Sequence, residues 1–271
     1  MLIGTMNDPK EDLIEEIKWI IESGFDYIEL TVEPPKASRE IVFDRKNEIK
    51  DIMETSKAKI LLGHTAWYLP IVNPYDSVRE ASIREIIEDA KALAIFETAE
   101  AVVVHTHFSP GYEDEEKMNA MLLDSLKKIV SAAEDLGLKV YIENDPISPF
   151  SRYEYVIENL ENAYMCLDIG HLFVKNALYR GLHTAYVTGR LAHIHAHDNK
   201  GNKDEHLPIG SGKIPWNFVI TTLKSMGYDK TITLEDHSQS RTIRRTSLKV
   251  MRELVETTEK QKIWELLPLG P

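Results

Sequence analysis

One repeating unit constrains the fold more than any single residue does: a short apolar or β-branched run followed by a helical segment, eight times over. The runs are Leu2 to Gly4, Tyr27 to Val32, Ile60 to Gly63, Ala101 to His105, Lys139 to Glu143, Ala163 to Leu167, a run beginning at Leu191, and Thr231 to Leu234. Between the first two, Leu13, Ile14, Ile17, Ile20 and Ile21 recur at helical spacing up to Ser23, and Gly24 ends the segment. Later helices are expected around Arg39 to Thr55, from Ser77 (a candidate N-cap) to Phe96, from Glu113 to Leu136, near Tyr153 to Asn159, irregularly from His171 to Val187, from Trp216 to Met226 and from Thr242 to Thr257. Strict alternation predicts parallel strands with helices outside, and eight units predict closure without a sheet edge. An open doubly wound sheet would usually carry a glycine-rich phosphate loop after its first strand, and MNDPKED is not one. The expected fold is therefore α/β, a (β/α)8 TIM barrel in one domain over 1–271. Residues 259–271 form a C-terminal tail that caps the barrel or serves a homo-oligomer contact.

The seventh strand and its loop read LAHIHAHDNKGNKDEHLPIGSG. Side chains alternate faces along a strand, so His193, His195 and His197 share one face, and the following turn adds Asp198, Asp204 and His206. Buried imidazoles need partners, and histidines clustered with carboxylates suit a metal. In a barrel of this kind chemistry sits at the C-terminal strand ends. His64 ends the third strand, His105 the fourth with His107 just beyond, Glu143 the fifth, Asp168 and His171 the sixth, and Glu235 follows the eighth. Of ten histidines, only His183 lies away from a strand end or the loop after it. Such donors suit zinc, manganese, iron or magnesium in different mixtures. Glu143 and Glu235, three strands apart around the rim, suit proton transfer at a substrate held between them.

Composition narrows the setting. The single cysteine, Cys166, excludes an intrachain disulfide and fits a reducing compartment, and it reads as core filler within its strand. No apolar run is long enough for a bilayer, and MLIGTMNDPKEDL lacks the pattern of a signal peptide, so a cytoplasmic protein without a membrane partner is expected. A formal net charge of -12 argues against broad adhesion to nucleic acid. Arg244 and Arg245 read as a solvated helix face, while Lys200, Lys203 and Lys213 flank the site loop and are open to either solvent or a phosphate.

These strand-end motifs resemble, over nearly the whole chain, the xylose isomerase-like TIM barrel superfamily. It has two branches: sugar and sugar-phosphate isomerases and epimerases, and endonuclease IV-like enzymes that cut DNA at abasic sites. The endonuclease resemblance implies up to three zinc ions on nine ligands, matching His64, His105, Glu143, Asp168, His171, His195, Asp204, His206 and Glu235. The isomerase resemblance implies one divalent ion (manganese, zinc, cobalt or magnesium) on Glu143, Asp168, His195 and Glu235, with both glutamates moving the proton and His171 touching the substrate. The chain departs from the endonuclease pattern where that branch opens with a histidine, a serine and paired glycines and carries a basic loop after strand two. Here those places read MLIGTMNDP and ELTVEPPKAS.

The leading expectation is a divalent-metal-dependent sugar or sugar-phosphate isomerase or epimerase working through an enediolate, with Glu143, Glu235 and His171 catalytic. His64, Trp67, His105, His107 and His206 are the expected substrate contacts. The alternative is a zinc-dependent phosphodiesterase acting on abasic DNA. A barrel that only binds a metabolite or partner is opposed by the intact Glu143 and Glu235.

Overall fold

The computed structural model describes residues 1–107 and 114–259. Its strands are β1 (Leu2–Met6), β2 (Tyr27–Val32), β3 (Ile60–Thr65), β4 (Ala101–His105), β5 (Lys139–Glu143), β6 (Ala163–Asp168), β7 (Leu191–Ala196) and β8 (Thr231–Leu234). Each pairs in parallel with its neighbours in sequence, and β8 returns to β1 through Leu2 to Thr231 and Thr5 to Leu234, closing the barrel. The outer ring is α1 (Leu13–Ser23), α2 (Arg39–Asp44), α3 (Lys46–Ser56), α4 (Asp76–Ala94), α5 (Glu115–Asp135), α6 (Phe150–Asn159), α7 (Ile169–Val174), α8 (Leu178–Thr188), α9 (Trp216–Ser225) and α10 (Arg241–Thr257). Among the described residues no helix is long and apolar enough to cross a membrane. The expected tail, 259–271, lies outside the described residues from position 260 onward.

Local chemistry explains where the elements begin and end. Asp12 caps α1 by accepting from the Ile14 and Glu15 N–H groups, and Gly24 ends it at φ 82°, a conformation that favours glycine. The segment expected as one helix over 39–55 is a pair, and the irregular helical stretch expected over 171–187 is a pair as well. The chain breaks at Arg45 between α2 and α3, and a turn through Asn176 at φ 53° separates α7 from α8. Helix α4 starts one residue before the expected Ser77 cap, and no side chain caps it.

Strand faces turned to the helices bury Ile28, Leu30, Ile194 and Ile232 in the main core. Inside, Tyr27, Leu62, Val103, Tyr141 and Cys166 form a separate apolar cluster, so Cys166 is packing, as expected. The first and last helices are clasped. Glu16, 1% exposed, accepts from Arg241 at 2.8 Å and Arg244 at 3.0 Å, and the Arg244 guanidinium stacks 4.2 Å from the Trp19 ring centroid. Burial alone would raise the Glu16 carboxyl, but the two arginines more than offset it and hold it low. Arg244 is thus not the solvated residue expected; Arg245, which is exposed, donates to Ser23.

Candidate metal centre at the barrel mouth

The strand ends converge on one point. Glu143 from β5, Asp168 from β6, His195 from β7 and Glu235 just past β8 each offer a donor atom within 4.8 Å of the others. His195 Nδ1 lies 3.2 Å from Glu143 Oε2 and 3.2 Å from Glu235 Oε1. Asn144 stitches β5 to β6 by donating to the Asp168 carbonyl and accepting from its N–H. Asp168 also caps α7, its Oδ1 accepting from the His171 N–H at 2.6 Å, while its Oδ2 has no hydrogen-bond partner.

Sequence reading missed Glu29. It is wholly buried in the middle of β2, where its carboxylate accepts from His193 Nε2 at 2.9 Å, His195 Nε2 at 3.1 Å and Thr233 Oγ1 at 2.5 Å. A signal was present: strands of a parallel barrel are covered on both faces, so a glutamate inside YIELTV must find buried partners. His193, a step deeper than His195, is a hydrogen-bonding residue of the barrel interior, bonded to Glu29 and at Nδ1 to Thr231.

Two further donor groups flank the first. His64 and His105 face Glu143, with His105 Nε2 at 3.0 Å and His64 Nε2 at 3.8 Å from its Oε2. On the other side, His171, His197, Asp204 and His206 gather. His171 Nδ1 donates to the Asn144 carbonyl at 2.8 Å, and His206 Nδ1 to the Glu235 carbonyl at 3.0 Å. Carbonyls only accept, so in the neutral rings both Nε2 atoms carry lone pairs. Those atoms lie 3.2 and 3.1 Å from Asp204 Oδ2. His197 joins them, its Nε2 at 3.2 Å from Asp168 Oδ1 and 3.3 Å from Asp204 Oδ1. The rings of His197, His206 and His237 stack at 3.8 and 4.0 Å between centroids. Burial, with neighbouring His206 and His197, pushes His237 down to about 3, so it stays neutral at ordinary pH.

The donor set fits a divalent cation. His64 Nδ1 and Nε2, His105 Nδ1, Glu143 Oε2, Asp168 Oδ2, His195 Nδ1 and His197 Nε2 are buried without hydrogen-bond partners, and His64 Nε2 and His195 Nδ1 both face Glu143 Oε2. Burying so many acceptors together is costly unless a cation sits among them. The two glutamates differ in environment. Burial would raise both; His105 and His195 overcome this at Glu143 and hold it well below the usual carboxylate range, whereas burial beside Glu143 and Asp168 leaves Glu235 well above it.

A cavity of about 580 Å³ opens above these groups, lined among others by His64, Trp67, His105, His107, His171, His206 and His237. Every expected site residue lies at this mouth except His195 and Asp168, which sit beneath its floor. Trp67 is 54% exposed and meets the His107 ring edge-on at 5.8 Å. Asp198, grouped with the donors in the sequence reading, instead anchors the loop. It accepts from the N–H groups of Asn199, Gly210 and Ile214 and from Trp216 Nε1. Lys200 pairs with Glu205, and neither Lys203 nor Lys213 lines the cavity.

Two uncharacterized proteins of Methanocaldococcus jannaschii are similar in sequence. One is 33% identical over 167 residues, covering 60% of this chain and 65% of that protein; the other is 36% identical over 217 residues, covering 70% and 69%. The chain thus matches about two thirds of their length. Among solved structures, a D-tagatose 3-epimerase-like protein superposes with TM-score 0.81 at 24% identity, over 98% of this chain and 100% of that one. A D-psicose 3-epimerase from Clostridium cellulolyticum H10 gives TM-score 0.74 at 15% identity, over 94% and 99%. At those identities the likeness is one of fold. The sequence family described as xylose isomerase-like TIM barrel matches residues 17–254, and the chain belongs to it.

Proposed function

We infer that the protein is a divalent-metal-dependent isomerase or epimerase of a sugar or sugar phosphate, moving a proton through an enediolate. The observation that carries this reading is the placement of Glu143 and Glu235, from strands three apart, each 3.2 Å from the same nitrogen of His195 at the floor of the cavity. Two carboxylates that reach one point from different strands suit an acid and a base at a substrate held between them. A metal such as manganese, zinc, cobalt or magnesium, held by Glu143, Asp168, His195 and Glu235, would supply the Lewis acidity that weakens the C–H bond next to a carbonyl.

The chain's own groups do the rest. One glutamate removes the proton α to the carbonyl, and the other, or His171, returns it. Return to the opposite face of the same carbon inverts it; return to the neighbouring carbon exchanges ketose for aldose. His64, His105, His107 and His206 hold hydroxyl groups, and the Trp67 indole covers an apolar sugar face. The epimerases among the structural neighbours support this reading. A cytoplasmic setting and a homo-oligomer belong to the same proposal. The test is a ketose and aldose panel with each of the four metals added. Interconversion of any member supports the reading, and a silent panel sinks it.

A second reading has one observation in its favour: three donor groups, two of them sharing Glu143, could hold up to three zinc ions for phosphodiester cleavage at abasic sites. Against it, among the described residues the cavity lining carries many carboxylates and two Lys or Arg side chains, Lys10 and Arg244, and Arg244 is committed to Glu16. Nicking of an abasic duplex by zinc-loaded protein would decide for it.

A further inference from the structure

We propose that Glu29 is a positioning residue: it fixes the His195 ring so that Nδ1, and not Nε2, is the atom offered to the metal. The inference rests on the metal centre of the reading above and not on its substrate.

Barrel interiors are usually filled by branched apolar side chains, so a wholly buried carboxylate there calls for a reason. The partners of Glu29 supply one. Tyr27 and Thr233 hydroxyls lie 2.7 Å apart, and Thr233 is 2.5 Å from Glu29 Oε2, so the hydroxyl protons run toward the carboxylate. His193 meets Thr231 Oγ1 at Nδ1 and Glu29 at Nε2. A carboxylate ringed by hydroxyl and imidazole donors accepts from all of them. His195 Nε2 must then carry its hydrogen toward Glu29 Oε1, which leaves the Nδ1 lone pair facing Glu143 and Glu235.

The ring has no other way to serve both sides. The other tautomer would set a lone pair against the Glu29 carboxylate and turn an N–H toward Glu143 and Glu235, closing that nitrogen to a metal. Carboxylate, imidazole and metal in line form a familiar arrangement, in which the carboxylate fixes the tautomer and strengthens the nitrogen as a donor. Here the carboxylate comes from β2, three strands around the closed barrel from β7, so the grip crosses the interior.

The experiment compares the parent with Glu29→Gln and Thr233→Val as whole chains, reading zinc affinity by chelator competition. In the zinc-loaded parent, nitrogen NMR reads which His195 ring atom bears hydrogen. The expected results are an Nε2–H in the parent, a loss of about 10- to 100-fold in zinc affinity for Glu29→Gln, and a much smaller loss for Thr233→Val, which keeps the His195 contact. Overturning results are parent-like affinity in Glu29→Gln, equal losses in both variants, or hydrogen on Nδ1 in the parent. If Glu29→Gln does not fold, the parent spectrum alone still decides. None of these readouts involves a sugar, so an inactive sugar panel would count against the proposed function and leave this inference standing.

Discussion

The His171 ring is tied by Nδ1 to the backbone carbonyl of Asn144 at 2.8 Å, so the next residue after the Glu143 strand end sets which face of that imidazole looks into the mouth. Its Nε2 meets Asp204 3.2 Å away, and the Nε2 of His206 meets the same oxygen. Acceptors so arranged call for a cation.

Asp204→Asn tests that demand. Zinc-replete parent is expected to hold more than one ion per chain, and the variant to lose the ion of the outer group while keeping the one on Glu143, Asp168, His195 and Glu235. Elemental analysis after gel filtration reads the difference. Equal zinc in both proteins would refute it. Sugar turnover that survives in the variant would assign the chemistry to the inner group.

Gly170→Ala should be destabilising although alanine is the better helix former by roughly 0.5–1 kcal/mol. An added Cβ would stand 2.0 Å from His197 Cε1 and 2.3 Å from its Nε2, so either the imidazole or α7 has to shift. A net loss of about 1–3 kcal/mol is expected in urea unfolding, together with weaker binding of the outer zinc. A variant as stable as the parent would show that His197 is free to move.

Trp67 offers the opposite case. More than half of it is exposed, so Trp67→Ala should leave stability within about 0.5 kcal/mol. If the indole covers a sugar face, KM rises roughly tenfold, equivalent to about 1.4 kcal/mol of uniform binding, while kcat changes little. Steady-state kinetics on whichever sugar proves active makes the comparison. A fall in kcat with KM unmoved would remove Trp67 from the binding surface.

Asp89 sets a pH dependence remote from the metal centre. Burial pushes its carboxyl up to about 7, with Arg39 opposing only in part because Glu85 and Glu40 share that guanidinium. In the folded protein the proton is held more tightly than in the unfolded chain, so stability is full at low pH and falls as pH rises from about 4 to about 7. Asp89→Asn removes that fall, and at about pH 8 it should exceed the parent by on the order of 2–4 kcal/mol. Urea unfolding at about pH 4 and pH 8 checks the sign; a parent that gains on the variant with rising pH would reverse the argument.

Periodicity was enough to place the strands and to close the barrel, because parallel strands buried on both faces leave continuous apolar runs. It did not show the break at Arg45, and it showed the one at Asn176 only as an irregular stretch, because backbone turns and not composition end the helices there. The metal-type residues were legible because strand ends are predictable and histidines and carboxylates are seldom placed there together by chance. Glu29 was passed over although the expected barrel buries both faces of its strand, because it stands in mid-strand and not at the strand end where the other donors cluster. Asp198 misled for the reverse reason: it stands among the donors in sequence, but its oxygens are spent on backbone N–H groups and an indole. Arg244 likewise read as a surface charge because its partners, Glu16 and Trp19, lie at the other end of the chain.

The loop anchored by Asp198 divides the mouth into two heritable parts. Inner donors sit on or beside the strands and persist as long as the barrel does, whereas Asp204 and His206 ride on a loop held by the Asp198 carboxylate, by the paired backbone of Asp198 and Leu207, and by the His237 N–H donating to the His206 carbonyl. Exchange of the loop would change both of these donors without touching the floor. A barrel built this way can alter the number of donors at its mouth by changes confined to one loop.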